Sequence, residues 1–137
     1  MDKKTMCRRG HMPIKFAWVI ACLLFPVLST AGDYELLHEQ GKSLYRSGDD
    51  AAALEVYRQI LDQYPDDADA LLFRGRLYAR EGQYDLAEKD LLRVIGTVPA
   101  YLDAYEALAT VYFWDRNLES ARNILTQWIQ RDMENPV

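Results

Sequence analysis

A spacing of thirty-four residues constrains this chain more than any other feature. Arg46, Gly48, Ala53 and Pro65 return as Arg80, Gly82, Ala87 and Pro99. With Tyr34, Ala68 and Leu102 as the first places of three units, the fourth place holds Leu37, Leu71 and Tyr105. The eighth holds Gly41, Gly75 and Ala109, and the eleventh Leu44, Tyr78 and Tyr112. Further on, Ala53, Ala87 and Ala121 share the twentieth place, and Tyr57, Leu91 and Leu125 the twenty-fourth. A fixed period of this length marks a stack of one repeated supersecondary unit.

Places four, eight and eleven form one stripe of a helix, and places twenty, twenty-four and twenty-seven form the same stripe on a second helix. Gly or Ala opposite Ala lets two helix backbones approach closely. Gly48 and Gly82 sit where the first helix must stop, because glycine adopts the left-handed conformation at small cost. Pro65 and Pro99 end the second helix by removing a backbone donor. Each unit is a helical hairpin that cannot cover its own apolar faces, so units must stack. The pattern predicts an all-α chain. In unit three Arg116 replaces the turn glycine, and Asn117 is expected to supply the turn. Ala121 lies fifteen residues before Pro136, against twelve from Ala53 to Pro65, so the last helix is expected to run about a turn longer.

This pattern resembles the tetratricopeptide repeat family over Tyr34–Val137. The resemblance implies a right-handed α-solenoid of three helix-turn-helix hairpins, residues 34–67, 68–101 and 102–137, within a domain spanning 32–137. The family's seventh place is usually apolar; Gln40 and Arg74 depart from it. In the family, places two, five, nine, twelve and thirteen line a concave groove for extended or helical peptides. Carried over, they give Lys42, Tyr45 and Arg46 in unit one, with His38 at place five. Unit two gives Leu72, Arg76 and Arg80, and unit three Thr110, Phe113 and Trp114. The carboxylate clamp of chaperone-binding members is absent, since His38, Asp103 and Ala107 stand where its basic residues would be needed.

The first 31 residues read differently. Lys3, Lys4, Arg8, Arg9 and Lys15 form a basic head, Phe16–Leu28 is an apolar run of thirteen, and Ser29-Thr30-Ala31 offers small residues before Gly32. This is the layout of a secretory signal, with Met12 as an alternative start. A bilayer-spanning helix needs about 20 apolar residues, so an uncleaved anchor is the alternative that length disfavours. The expected address is the periplasm or the outside of a bacterial cell. Removing residues 1–31 takes away Cys7 and Cys22, the two cysteines of the chain. The remaining 106 residues carry 11 basic against 20 acidic side chains, a net charge of −9 that repels nucleic acid.

Catalysis finds no footing in this inventory. His38 is the single histidine beyond the signal, and no strained nucleophile turn accompanies it. The glycines are single, at repeat positions, and form no phosphate loop. Asp66, Asp67, Asp69 and Asp103 fall at hairpin junctions and first turns, where a carboxylate meets the helix N-terminal partial charge. No enzyme activity, cofactor or metal is expected. The function expected instead is that of a scaffold holding a protein or peptide, with Lys42, Arg46, Arg76 and Arg80 favouring an acidic one.

The last helix carries apolar residues on more than one stripe, and Leu125, Trp128 and Ile129 are expected to stay partly wet. Self-association, a partner, or a following element of a longer protein are the three accounts of such a patch. The segment PAYLDAYEALATVYFWDRNLESA is also similar to the periplasmic repeat region that precedes some outer-membrane β-barrels. Polysaccharide-export systems use comparable repeats, and there Tyr45, Phe113 and Trp114 would stack on the rings of a glycan polymer.

Overall fold

A computed structural model describes residues 30–134 of the chain. The expected signal falls outside the described residues, apart from the two that open the first helix. Asp33–Val137 forms one unit of contacts. Its helices are α1 (Thr30–Ser47), α2 (Asp50–Gln63), α3 (Ala68–Arg80), α4 (Tyr84–Thr97), α5 (Leu102–Trp114) and α6 (Leu118–Glu134). They pair as α1–α2, α3–α4 and α5–α6, one hairpin per thirty-four residues, so the all-α solenoid expected from the period is the fold. At 17 residues α6 is longer than α2 or α4, each of 14, because no proline stops it at the thirty-second place.

The hairpin turns share one hydrogen bond. The amides of Asp49, Gln83 and Asn117 donate to the carbonyls of Leu44, Tyr78 and Tyr112 at 3.1, 2.8 and 2.8 Å. That bond requires a left-handed residue just after the helix. Gly48 and Gly82 supply it with φ of 82° and 76°, and in unit three Arg116 supplies it itself with φ 63°. The turn is therefore not made by Asn117, whose side chain instead accepts from the Ser120 amide at 3.2 Å and caps α6. Asp49 and Asp67 cap α2 and α3 in the same way, through the amides of Ala52 and Ala70 at 3.2 and 2.7 Å. A side chain in the left-handed region costs about 1–2 kcal/mol. Replacing Arg116 by Gly is expected to raise stability by about 1 kcal/mol in a urea titration.

The close approach is seen at the eighth place of the first two hairpins. A Cβ on Gly41 would lie 2.8 Å from Cζ of Tyr57, and one on Gly75 would lie 2.9 Å from Cγ of Leu91. The eighth place thus meets the twenty-fourth, and at Gly75 the carbonyl of Ala87, at the twentieth, also lies 3.4 Å away. Stacking then buries the second helix. Ala53, Ala87, Tyr57 and Leu91 are fully buried, and Phe73 of the next hairpin lies parallel to Tyr57 at 5.4 Å. In the last hairpin Ala121 is half-buried and Leu125 is 42 % exposed.

Arg74 explains its own departure from the repeat. Its Nε and Nη2 donate to the two carboxylate oxygens of Asp90 at 2.7 and 2.8 Å, bridging α3 to α4. Asp90 is only 5 % exposed and occupies the place held by buried Val56 and Ile124 in the other hairpins. The guanidinium also lies over the Tyr78 ring at 5.8 Å. This fork raises the Arg74 pKa, chiefly through the Asp90 hydrogen bonds and against the opposing effect of burial.

Tyrosine hydroxyls tie elements together. Tyr34 donates to Asp67, Tyr101 to Asp69, and Tyr112 to Glu88 at 2.8 Å. The hydrogen bond to Asp67 pushes the Tyr34 phenol up to about 12, and burial followed by the bond to Glu88 does the same to Tyr112. The folded chain holds these protons more tightly than the unfolded chain, whose phenols ionise near the ordinary value of 10.0. Their stabilisation is complete below that pH and is lost as pH rises towards 12. Alkaline titration followed by circular dichroism should show helix loss across this window, with Tyr112→Phe weakening the pH dependence.

Candidate functional site

The first helices of the three hairpins face a common hollow of about 240 Å³. Tyr45 comes from α1, Arg76 and Arg80 from α3, and Thr110 and Trp114 from α5. These five expected groove residues are brought together because each stands on the face of its helix opposite the packing stripe. Ala79 and Ala107 form a floor that is 5 % and 7 % exposed. Their small side chains leave the hollow open, and Glu106 adds a carboxylate to its wall.

The other expected residues are placed elsewhere. Leu72 belongs to the core, 1 % exposed, so it leaves the groove set. The fifth place is buried in the first two hairpins, which covers His38 as well, whereas Glu106 at the fifth place of the third is exposed. That side chain is 4 % exposed, with Nε2 3.3 Å from the Asp67 carboxylate and its ring edge-on to Tyr34 at 4.6 Å. Lys42 lies 3.6 Å from Glu39, and Arg46 donates to the Lys42 carbonyl at 3.2 Å. Phe113, 62 % exposed, borders a second hollow with Trp114, Arg116 and Leu118.

The two arginines of the hollow are held but not sealed. Arg80 lies over the Tyr45 ring at 4.0 Å, and its Nη2 is 3.2 Å from Asp50. Arg76 lies 3.8 Å from Asp103 and 5.9 Å over the Phe73 ring. Asp50 is the partner that sequence reasoning missed; it stands thirty residues before Arg80, on the second helix of the first hairpin. The Arg76–Asp103 pair, with Asp103 exposed, is worth little in water, so an incoming carboxylate can replace the resident one there at small cost. The aromatic face beneath Arg80 adds cation–π attraction and holds the guanidinium in place.

Two carboxylate-tethered arginines over aromatic rings, on the inner side of stacked helical hairpins, invite comparison with known proteins. Residues 38–101 match the family described as tetratricopeptide repeat. Over that span the chain is similar to tetratricopeptide repeats. The tetratricopeptide TPR2B domain of yeast Sti1, solved as a pHsp70 complex, is similar at 23% identity and a TM-score of 0.70, over 76% of this chain and 83% of that one. The second TPR of Spaghetti (RPAP3), bound to HSP90 peptide SRMEEVD, is similar at 20% identity and a TM-score of 0.65, over 71% of this chain and 90% of that one. In sequence, the TPR repeat-containing thioredoxin TTL4 of Arabidopsis thaliana is 29% identical over 93 residues, 68% of this chain. The match spans 14% of that relative's length.

Leu125, Trp128 and Ile129, expected at a terminal interface, lie on α6. Trp128 is half-buried against Tyr105, with ring centroids 5.2 Å apart. Leu125 and Ile129 are 42 % and 57 % exposed, and Met133 extends their stripe at 76 %.

Proposed function

We propose that this chain is an exported tetratricopeptide scaffold that holds an acidic segment of a partner protein in the hollow between α1, α3 and α5. One observation carries this reading: Arg76 and Arg80 converge there, 3.8 and 3.2 Å from the carboxylates of Asp103 and Asp50, beside Tyr45 and Trp114. Arginine forks match carboxylates, and the rings supply anchoring area. Similar tetratricopeptide domains solved with an HSP90 peptide support a peptide as the ligand class. The buried His38–Asp67 pair closes the fifth place of the first hairpin, which favours a ligand held further along the groove. The basic head and short apolar run of residues 1–31 support export, to a bacterial envelope assembly or secretion system.

A second reading rests on the exposure of Phe113 and Trp114, 62 % and 46 %, at one end of the groove. Rings presented in this way stack on the sugars of an exported polymer. Salt separates the two readings, because it screens carboxylate recognition and leaves stacking nearly unchanged. Immobilised chain is to be probed with a set of short peptides, acidic and neutral, and with neutral polysaccharide. Acidic peptides should be retained at low salt and released at high salt. Changing Arg76→Glu together with Arg80→Glu should abolish retention while the helical circular dichroism signal is kept; unchanged retention removes the groove as the site.

A further inference from the structure

We propose that the exposed face of α6 pairs with α6 of a second copy of this chain, antiparallel, about a two-fold axis at Gln127. This inference is independent of what the groove holds. Arg122, Leu125, Ile129 and Asp132 are spaced three, four and three residues apart, so they form one seam along the helix. All four are exposed, and neither Arg122 nor Asp132 has an ion-pair partner among the described residues. Arg122 and Asp132 share their midpoint at Gln127 with Leu125 and Ile129. An antiparallel helix centred there sets Leu125 against Ile129 of the second copy twice, and Arg122 against Asp132 twice. Ala121 comes level with Met133 of the second copy, a small residue opposite a long flexible one. A two-fold contact must be self-complementary in this way, and this seam is.

The opposite end of the stack excludes the competing arrangement. In head-to-tail addition, α6 of one copy would be covered by α1 of the next, as α2 is covered by α3. The covering helices carry apolar residues at their sixth and tenth places, Phe73 and Leu77 on α3 and Ala107 and Val111 on α5. On α1 those places hold Glu39 and Ser43, both exposed. Burying them against Leu125 and Ile129 would strand polar groups in an apolar contact. Addition therefore stops at a pair, and the small seam makes that pair concentration-dependent.

Sedimentation velocity on the product purified from the full reading frame, run from low to high concentration, tests the proposal. The parent should sediment as a dimer at high concentration. Arg122→Asp and Asp132→Arg should each weaken pairing roughly tenfold or more, since either one sets like charges together in both pairs. An equal mixture of the two variants should recover the dimer, because each then meets its complement twice; this also shows that both are folded. A parent that stays monomeric leaves α6 for a foreign partner and overturns the proposal. Open-ended polymers, unaffected single variants, or a mixture that stays monomeric overturn it as well.

Discussion

Asp90→Ala is expected to cost about 3 kcal/mol, the largest loss from any single charged residue in the domain. The substitution strands the Arg74 guanidinium between α3 and α4 after both oxygens that accept its 2.7 and 2.8 Å hydrogen bonds are removed. Breaking a buried pair by removing one partner costs about 3–5 kcal/mol. The lower end applies because the Arg74 side chain keeps 22% exposure and can turn partly to water. For a domain of this size, the melting temperature should fall by roughly 12–20 °C. The neighbouring hairpins show the cure. Leu108 and Ile124 occupy the corresponding places in unit three, both buried. Arg74→Leu combined with Asp90→Ile should therefore return stability to within about 1 kcal/mol of the parent, since an apolar pair of suitable volume replaces a buried ion pair without penalty. If the double variant is as unstable as Asp90→Ala, the fork has a role beyond packing α3 on α4.

Gly75→Leu should unfold a larger fraction of the protein still. Leu91 Cγ would stand 2.9 Å from the new Cβ alone, with Leu91 fully buried and unable to retreat. Overpacking costs about 1–3 kcal/mol for a few added methylenes, and a whole leucine at a helix–helix contact lies at or above the top of that range. The better helix propensity of leucine returns under about 1 kcal/mol. Gly96 is the control. It sits near the end of α4 with no heavy atom within 4 Å of its would-be Cβ and an ordinary backbone. Gly96→Ala should raise stability by about 0.5–1 kcal/mol through propensity and the unfolded chain's lost freedom. Opposite signs at two helical glycines, read from parallel denaturant titrations, would isolate close packing as the cause at Gly75.

The two substitutions also show why some features could be read from the letters and others could not. Gly75 was legible because its contact recurs: Gly41 meets Tyr57 as Gly75 meets Leu91, so the same small residue returns every thirty-four places. Asp90 was not, because it occurs once. Arg74 stood out as a polar residue in an apolar place, but its partner sixteen residues on becomes visible only when Asp90 is aligned with Val56 and Ile124. Arg116 taking the left-handed turn was hidden for a related reason. The backbone bond from Asn117 to Tyr112 fixes that conformation, whatever side chain stands there. In the groove, place numbering carried Tyr45, Arg76, Arg80, Thr110 and Trp114 to one hollow, but sent Leu72 and His38 there wrongly. Small rotations between adjacent helices decide whether the fifth place looks into the groove or into the seam beside it.

The sequence alone determined that the chain is helical, where each hairpin turns and which stripes are buried. Those properties are local or repeat at a fixed interval, so periodicity records them. Only the tertiary structure decided that Arg74 meets Asp90, that Arg80 lies between Tyr45 and Asp50, and that Leu125 and Ile129 stay exposed along α6. These depend on side chains from different hairpins arriving at one point, and the distance between such groups is set by how helices pack rather than by their separation along the chain.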